Sequence, residues 1–336
     1  MTTASTSAAA TVRAVDHCHR PGRHCGSSAI RDLLEFHGLA ISEACCFGLG
    51  AGLGITYVRT PGTQTPFMVH VRSMGFEEKV FSILDTPFQW SEFADKESAS
   101  AELYCRLRDH KPALLLTDIY HLPYFNSSTR FPGHAIVAWQ LDEQAGQVMV
   151  SDTERPGLLA VPLADLQEAR FSLLPPFIHK GSLFAPDKID TGVTPERIRQ
   201  AIIDNAVALA QGNATSGLAA LATWRHDLPI WAAEDNWRWL LRFGYQVIEK
   251  RGTGGAGFRA MYAEFLREAE LLEPAVAQAQ LVELMMYCAD AWSALASEMK
   301  RGSESEVFPI DALASAISEV ERHESGYVNT VLRSLA

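Results

Sequence analysis

The chain has 336 residues, 47% of them hydrophobic and 21% charged, with a formal net charge of −11. That length exceeds one typical core and predicts two domains. The acidity argues against nucleic acid or an anionic membrane surface as main partner and suits a cationic small molecule.

No apolar run approaches the ~18 residues of a membrane span. Six cysteines without regular spacing predict reduced thiols in a cytoplasmic protein, not a disulfide framework. Residues 1–15, MTTASTSAAATVRAV, lack the basic and apolar regions of a secretion signal and read as a disordered tail. From Cys25, apolar or small residues at Ala29, Ile30, Leu33, Leu34 and Phe36 closing at His37-Gly38 predict a helix with a glycine stop. Gly48, Gly50, Gly52 and Gly54 have no strand signal before them and no clear helix after, so a flexible or tightly packed backbone is expected there and not a dinucleotide loop. Residues 99–109 predict a helix and 111–118 a buried strand. Residues 134–152 predict two Val/Ile-rich strands around a Gln144-Ala-Gly146 turn. A short strand and a helix at 163–171 complete an α+β pattern with an antiparallel sheet.

Pro175-Pro176 and Gly181 mark a boundary, which sets the expected first domain at 16–182 and a second at 190–336. Thr194 is placed as an N-cap, Pro195 at the first helical position and Glu196 in the first turn. Segments 215–224, 235–250, 257–271, 274–299 and 310–335 carry helical periodicity, so the second domain reads as all-helical, and its long amphipathic helices are compatible with a homodimer. The aromatics of WRHDLPIW and NWRWLL are expected in the core, and Cys45, Cys46, Cys105 and Cys288 as buried packing residues.

A thiol is a useful nucleophile as thiolate, which a helix N-terminus and a neighbouring imidazole both favour. Cys25 opens the first helix. His134 starts a strand in GHAIVAWQLD, and Asp152 ends the next strand in VMVSDT. Two strands joined by a turn bring their outer ends together, so Asp152 can orient the imidazole. A buried cysteine and a satisfied strand histidine are the structural alternatives. HCHRPGRHC also holds zinc-type donors in His17, Cys18, His19, His24 and Cys25, but no spaced pair or distant cluster completes a site and no metal is expected.

HCGSSAIRDLL followed by GHAIVAWQLDEQAGQVMVSDT resembles the papain-like cysteine enzymes, including the double-glycine leader peptidases, although Ser28 stands where papain's signature has a second cysteine. The chain from about residue 17 resembles more closely the family of the butirosin side-chain acyltransferase, on HCGSSAIRDLLEFHGLAISEACCFGLGAGLG, TDIYHLPY, GHAIVAWQLD…VMVSDT and RGTGGAGFRAMYAEFL.

That resemblance implies a papain-like domain with a helical appendage. It also implies transfer of an acyl group from the phosphopantetheine of an acyl carrier protein to an amine-bearing small molecule, without a further cofactor. Cys25, His134 and Asp152 match the nucleophile, base and orienter. The oxyanion is expected to meet the Cys25 N–H and a side chain six residues upstream. That side chain is His19, where the papain-like enzymes usually have Gln; Arg20 and Arg23 can also donate. Asp118, Tyr120 and Tyr124 are candidates to line the cleft, with packing as the alternative. Arg251, Gly254 and Arg259 either belong to an interhelical turn or to a loop whose arginines meet a phosphate. A stand-alone cysteine peptidase or amidase and a non-catalytic papain-like scaffold are the competing readings.

Overall fold

The structure is a computed structural model that describes residues 19–62, 66–173 and 178–336. The expected tail, His17, Cys18 and Pro175-Pro176 lie outside the described residues.

Helix Cys25–Phe36 is more deeply set than its amphipathic pattern suggests. Every residue from Gly26 to Leu34 is buried, the polar Ser27, Ser28, Arg31 and Asp32 included. It stops at Gly38, whose φ of +94° would strain any side chain. The helix packs on strands Ala113–Thr117 and His134–Asp142 of a five-stranded antiparallel sheet. Across that sheet the order is Leu159–Pro162, Gln147–Ser151, His134–Asp142, Ala113–Thr117 and Leu183–Phe184.

Alternation along the strands assigns the two faces. Leu115, Ile136, Ala138, Val148 and Val150 form one core with Leu103 and Leu107 of helix Lys96–Arg108 and Leu166 and Ala169 of helix Leu163–Arg170. Leu114 and Val137, paired in register, point the other way, toward the side covered by helix Cys25–Phe36. Residues His134 to Trp139 are all buried because both faces are covered. The α+β architecture with an antiparallel sheet is the one expected.

The chain divides into two compact units. Among the described residues, one holds those up to Cys46 together with those of Leu84–Gly192, and the other those of Phe47–Ile83 together with Val193–Ala336. The passage from one unit to the other falls after Gly192, and Phe47–Ile83 groups with the second unit. Its antiparallel hairpin, Leu53–Arg59 with Phe67–Arg72, makes that unit less purely helical than expected. Asn205 anchors the hairpin by accepting the Leu53 N–H (3.2 Å) and donating to the Leu53 carbonyl (2.7 Å).

Seven α-helices follow among the described residues of the second unit: Pro195–Ala210, Gly217–Ala233, Trp237–Glu249, Arg259–Ala269, Pro274–Gln278, Leu281–Ser303 and Ile310–Ser334. Thr194 caps the first with Pro195 at its start, as its sequence predicts. Tight packing is the right reading of the alternate glycines, since a Cβ on Gly48 would overlap the Phe265 ring and one on Gly54 the Arg72 carbonyl. Trp224 and Trp231 are core residues, the latter stacked on Phe67 at 4.9 Å. Two expectations need correction. Trp239 is 46% exposed, because helix Trp237–Glu249 turns Leu240, Leu241, Gly244 and Ile248 inward instead. Cys105 is exposed on the outer face of its helix, whereas Cys45, Cys46 and Cys288 are buried.

Candidate active site

Cys25 is the first residue of its helix and half-buried. The turn before it is held from outside the helix. Glu43, itself buried, accepts the backbone N–H of Arg23 (3.0 Å to each oxygen) and of His24 (2.8 Å), and the Ser27 hydroxyl (3.1 Å). His24 is the N-cap, its Nδ1 accepting from the Ser27 N–H at 3.1 Å. A carboxylate that satisfies two backbone donors in the turn fixes the direction in which the next residue leaves it.

His134 begins the central strand, paired with Thr117, whose hydroxyl donates to the His134 carbonyl at 2.9 Å. Its Nε2 lies 2.8 and 2.9 Å from the two oxygens of Asp152. The Cys25 side chain is its other hydrogen-bond partner. With Nε2 committed to the carboxylate, Nδ1 is the ring atom left for sulfur. Burial works against a charge on this ring, but the hydrogen bonds to Asp152 and Cys25 and their negative charge outweigh it and push His134 up to about 10. Burial would likewise raise Asp152; the His134 hydrogen bond and charge, the Tyr124 hydroxyl and the Thr153 N–H overcome it and hold the carboxyl below its usual range. Tyr124 donates to Asp152 at 2.6 Å and the Thr153 N–H at 2.7 Å. Phe125 meets the His134 ring edge-on, with centroids 5.1 Å apart.

The two halves of this arrangement are stitched together. The Gly22 N–H donates to the Thr153 carbonyl at 2.6 Å. Asp32, on the helix of Cys25, accepts from Arg31 (2.7 Å) and from Ser151 (3.4 Å), and Ser151 accepts from the Trp139 indole (2.9 Å). Glu43, Asp32, Phe125 and Thr153 were not anticipated. Phe125 sits directly after a motif singled out in the sequence, but no spacing or periodicity marks the two carboxylates.

Other expected site residues fare differently. His19 has both ring nitrogens engaged, Nδ1 on Asp32 and Nε2 on the Arg155 carbonyl, each at 2.6 Å. It therefore has no N–H to offer an oxyanion in this arrangement, which corrects that expectation. Burial opposes its charge, but Asp32 and the carbonyl raise its pKa on balance.

Asp118 is fully buried and ties its loop by accepting from Arg130 (2.8 Å), the Phe131 N–H (3.0 Å) and the Tyr120 N–H (3.2 Å), so it organises a wall and does not line one. Tyr120 is exposed beneath the Arg130 guanidinium. Tyr124 touches Asp152 directly, so its contact is with the site's own carboxylate.

In the second unit, Arg251 packs over Phe243 and Gly254 adopts a positive φ in the turn. Arg259 is sealed: it pairs with Glu324 at 2.6 Å and donates to the carbonyls of Gly54, Val71 and Gly257. A guanidinium that is 0% exposed cannot meet a phosphate, so its assignment to substrate is corrected to a structural tie. Among the described residues no group of three His, Cys, Asp or Glu side chains is arranged to hold a metal ion. No helix among them is long and apolar enough to cross a membrane.

Two family models match the chain. Residues 24–153 match the butirosin biosynthesis protein H N-terminal domain, and residues 164–331, half of the chain, match a domain of unknown function, DUF4872. No curated protein matches it. The first match spans Cys25, His134 and Asp152 and begins one residue before the cysteine.

Proposed function

The chain belongs to the butirosin biosynthesis protein H-like family, and on that premise we propose that it is a cysteine-dependent acyltransferase of specialised-metabolite biosynthesis. Its donor is an acyl thioester on the phosphopantetheine arm of a carrier protein, and its acceptor is an amine. The observation that carries this reading is the His134 ring, hydrogen-bonded to the Cys25 side chain and, through Nε2, to the Asp152 carboxylate.

The chemistry follows from that ring. The attraction that keeps a proton on His134 also favours the Cys25 thiolate. The sulfur attacks the thioester carbonyl carbon, the donor's C–S bond breaks, and the departing thiolate takes the proton from His134. An acyl-S-Cys25 enzyme remains. An amine then attacks the acyl carbon and gives a proton to His134, the Cys25 thiolate leaves, and the product is an amide. Thioester exchange is nearly neutral and amide formation is downhill, so no nucleotide is consumed. Asp152 stays ionised and orients the imidazole; it does not take the proton. The Cys25 backbone N–H, at the start of the helix, is the donor assigned to the oxyanion.

The test is direct. The protein is mixed with an acyl-loaded carrier protein and followed by intact mass, with Cys25→Ala as control. A covalent acyl adduct on Cys25 whose release depends on added amine supports transfer. Release at the same rate in buffer alone assigns hydrolysis instead, and no adduct from any thioester overturns the reading.

A further inference from the structure

Several arginines lie close to the Cys25–His134–Asp152 site in sequence or space, and most are already neutralised: Arg20 by Glu35, Arg23 by Glu43 and Arg130 by Asp118. Arg155 differs. It forms no ion pair among the described residues, and its guanidinium is exposed. Yet the residue is firmly held. Its N–H donates to the Asp152 carbonyl at 3.0 Å, and its own carbonyl accepts from His19 Nε2 at 2.6 Å. Its Nη2 donates to the Tyr124 carbonyl at 3.3 Å, and the guanidinium carbon lies 5.9 Å from the ring centroids of both Tyr124 and Phe125.

Those two rings also touch the reactive pair. Phe125 meets His134, and the Tyr124 hydroxyl donates to Asp152. One aromatic pair thus carries an unneutralised cation and, through other contacts, the imidazole and its carboxylate.

A guanidinium has five N–H donors, and one carbonyl occupies a single one of them. The rest form a fork that matches a carboxylate or phosphate, and the Tyr124 carbonyl and the two neighbouring rings place that fork before a ligand arrives. We propose that Arg155 binds an anionic oxygen group, a carboxylate or a phosphate, carried by the acyl donor. This rests on the acyl-transfer reading above. The two sources of the anion are the acyl chain itself and the phosphodiester of the pantetheine arm, and the chemistry that Arg155 recognises is the same in both.

Three small donors separate the possibilities: pentanoyl-N-acetylcysteamine is neutral, glutaryl-N-acetylcysteamine adds an acyl carboxylate, and pentanoyl-4′-phosphopantetheine adds a phosphate. The rate of Cys25 acylation is read by intact mass for the wild type, Arg155→Gln and Arg155→Lys. Arg155→Gln is expected to slow an anion-bearing donor by about tenfold or more, the scale of a charge-assisted hydrogen bond, and to leave the neutral donor unchanged. Whichever donor suffers identifies the source, and Arg155→Lys falls between. Equal slowing of all three donors makes Arg155 a structural brace and overturns the proposal, as does no slowing of any. If the wild type acquires no adduct on Cys25 from any of the three, the acyl-transfer reading itself fails and this inference falls with it.

Discussion

One buried ionic cluster from each unit, built from similar parts, makes the comparison. In the first unit, Asp152 and His134 share hydrogen bonds with Tyr124 and the Cys25 side chain. In the second, Glu324 takes hydrogen bonds from Arg259 and the Trp292 indole (2.7 Å), with the guanidinium 4.7 Å above the Trp292 ring. Burial, aromatic neighbours and short charged contacts are common to both. The difference is that the first cluster ends in a half-buried thiol beside a group whose proton can move, whereas Arg259 and Glu324 are both 0% exposed and neither is a nucleophile. A buried charge network therefore marks chemistry only when it reaches a nucleophile and a movable proton. Otherwise it is a fastening.

That contrast makes substitutions in the two clusters fail in different ways. Cys25→Ala or His134→Ala removes a member of a unit that acts together, and thioester turnover should fall by about 10⁴-fold or more with the unfolding midpoint little changed. A large loss of stability with activity preserved would invert the comparison. Glu324→Ala strands a buried guanidinium and should cost roughly 3–5 kcal/mol in denaturant unfolding, while the surviving folded fraction still acylates Cys25.

Smaller effects sharpen the first cluster. Glu43→Gln keeps one acceptor oxygen but turns an amide N–H toward backbone donors, and acylation should slow by about tenfold. The melting temperature should move less than in Glu324→Ala. Tyr124→Phe deletes one of several bonds to Asp152 and should slow acylation by about three- to tenfold, the worth of a single hydrogen bond. A result equal to that of Cys25→Ala would mean that the tyrosine does more than hold the carboxylate.

Much of the fold, and the candidate residues Cys25, His134 and Asp152, were legible in sequence because the signals are local. Thr194-Pro195 announces a helix start, Gly38 a helix stop, and the Val/Ile-rich runs around Gln144-Ala-Gly146 a hairpin whose outer ends meet. What escaped depends on residues far apart in the chain. The hairpin Leu53–Arg59/Phe67–Arg72 belongs with helices more than a hundred residues later, and Asn205 anchors it across 152 positions. The fate of His19 turned on Asp32 and the Arg155 carbonyl, neither of which any periodicity marks. Arg259 opens a helix directly after a glycine-rich turn whose sequence left an interhelical turn and a phosphate-meeting loop both open, but the carbonyls and the carboxylate that enclose it come from the hairpin and the last helix. Motifs name candidate residues; burial and hydrogen-bond partners decide which remain available.

The central claim is that Cys25 and His134 share a proton, and the pH dependence of Cys25 alkylation tests it most directly. Iodoacetamide labelling is read at the Cys25 peptide, in a Cys105→Ser background because Cys105 is exposed. With His134 keeping its proton up to about 10, the wild-type thiol should react at nearly full rate well below the ordinary thiol range. His134→Ala should move the profile up toward the free-thiol value of about 8.5. Superimposable profiles for the two proteins would contradict the account.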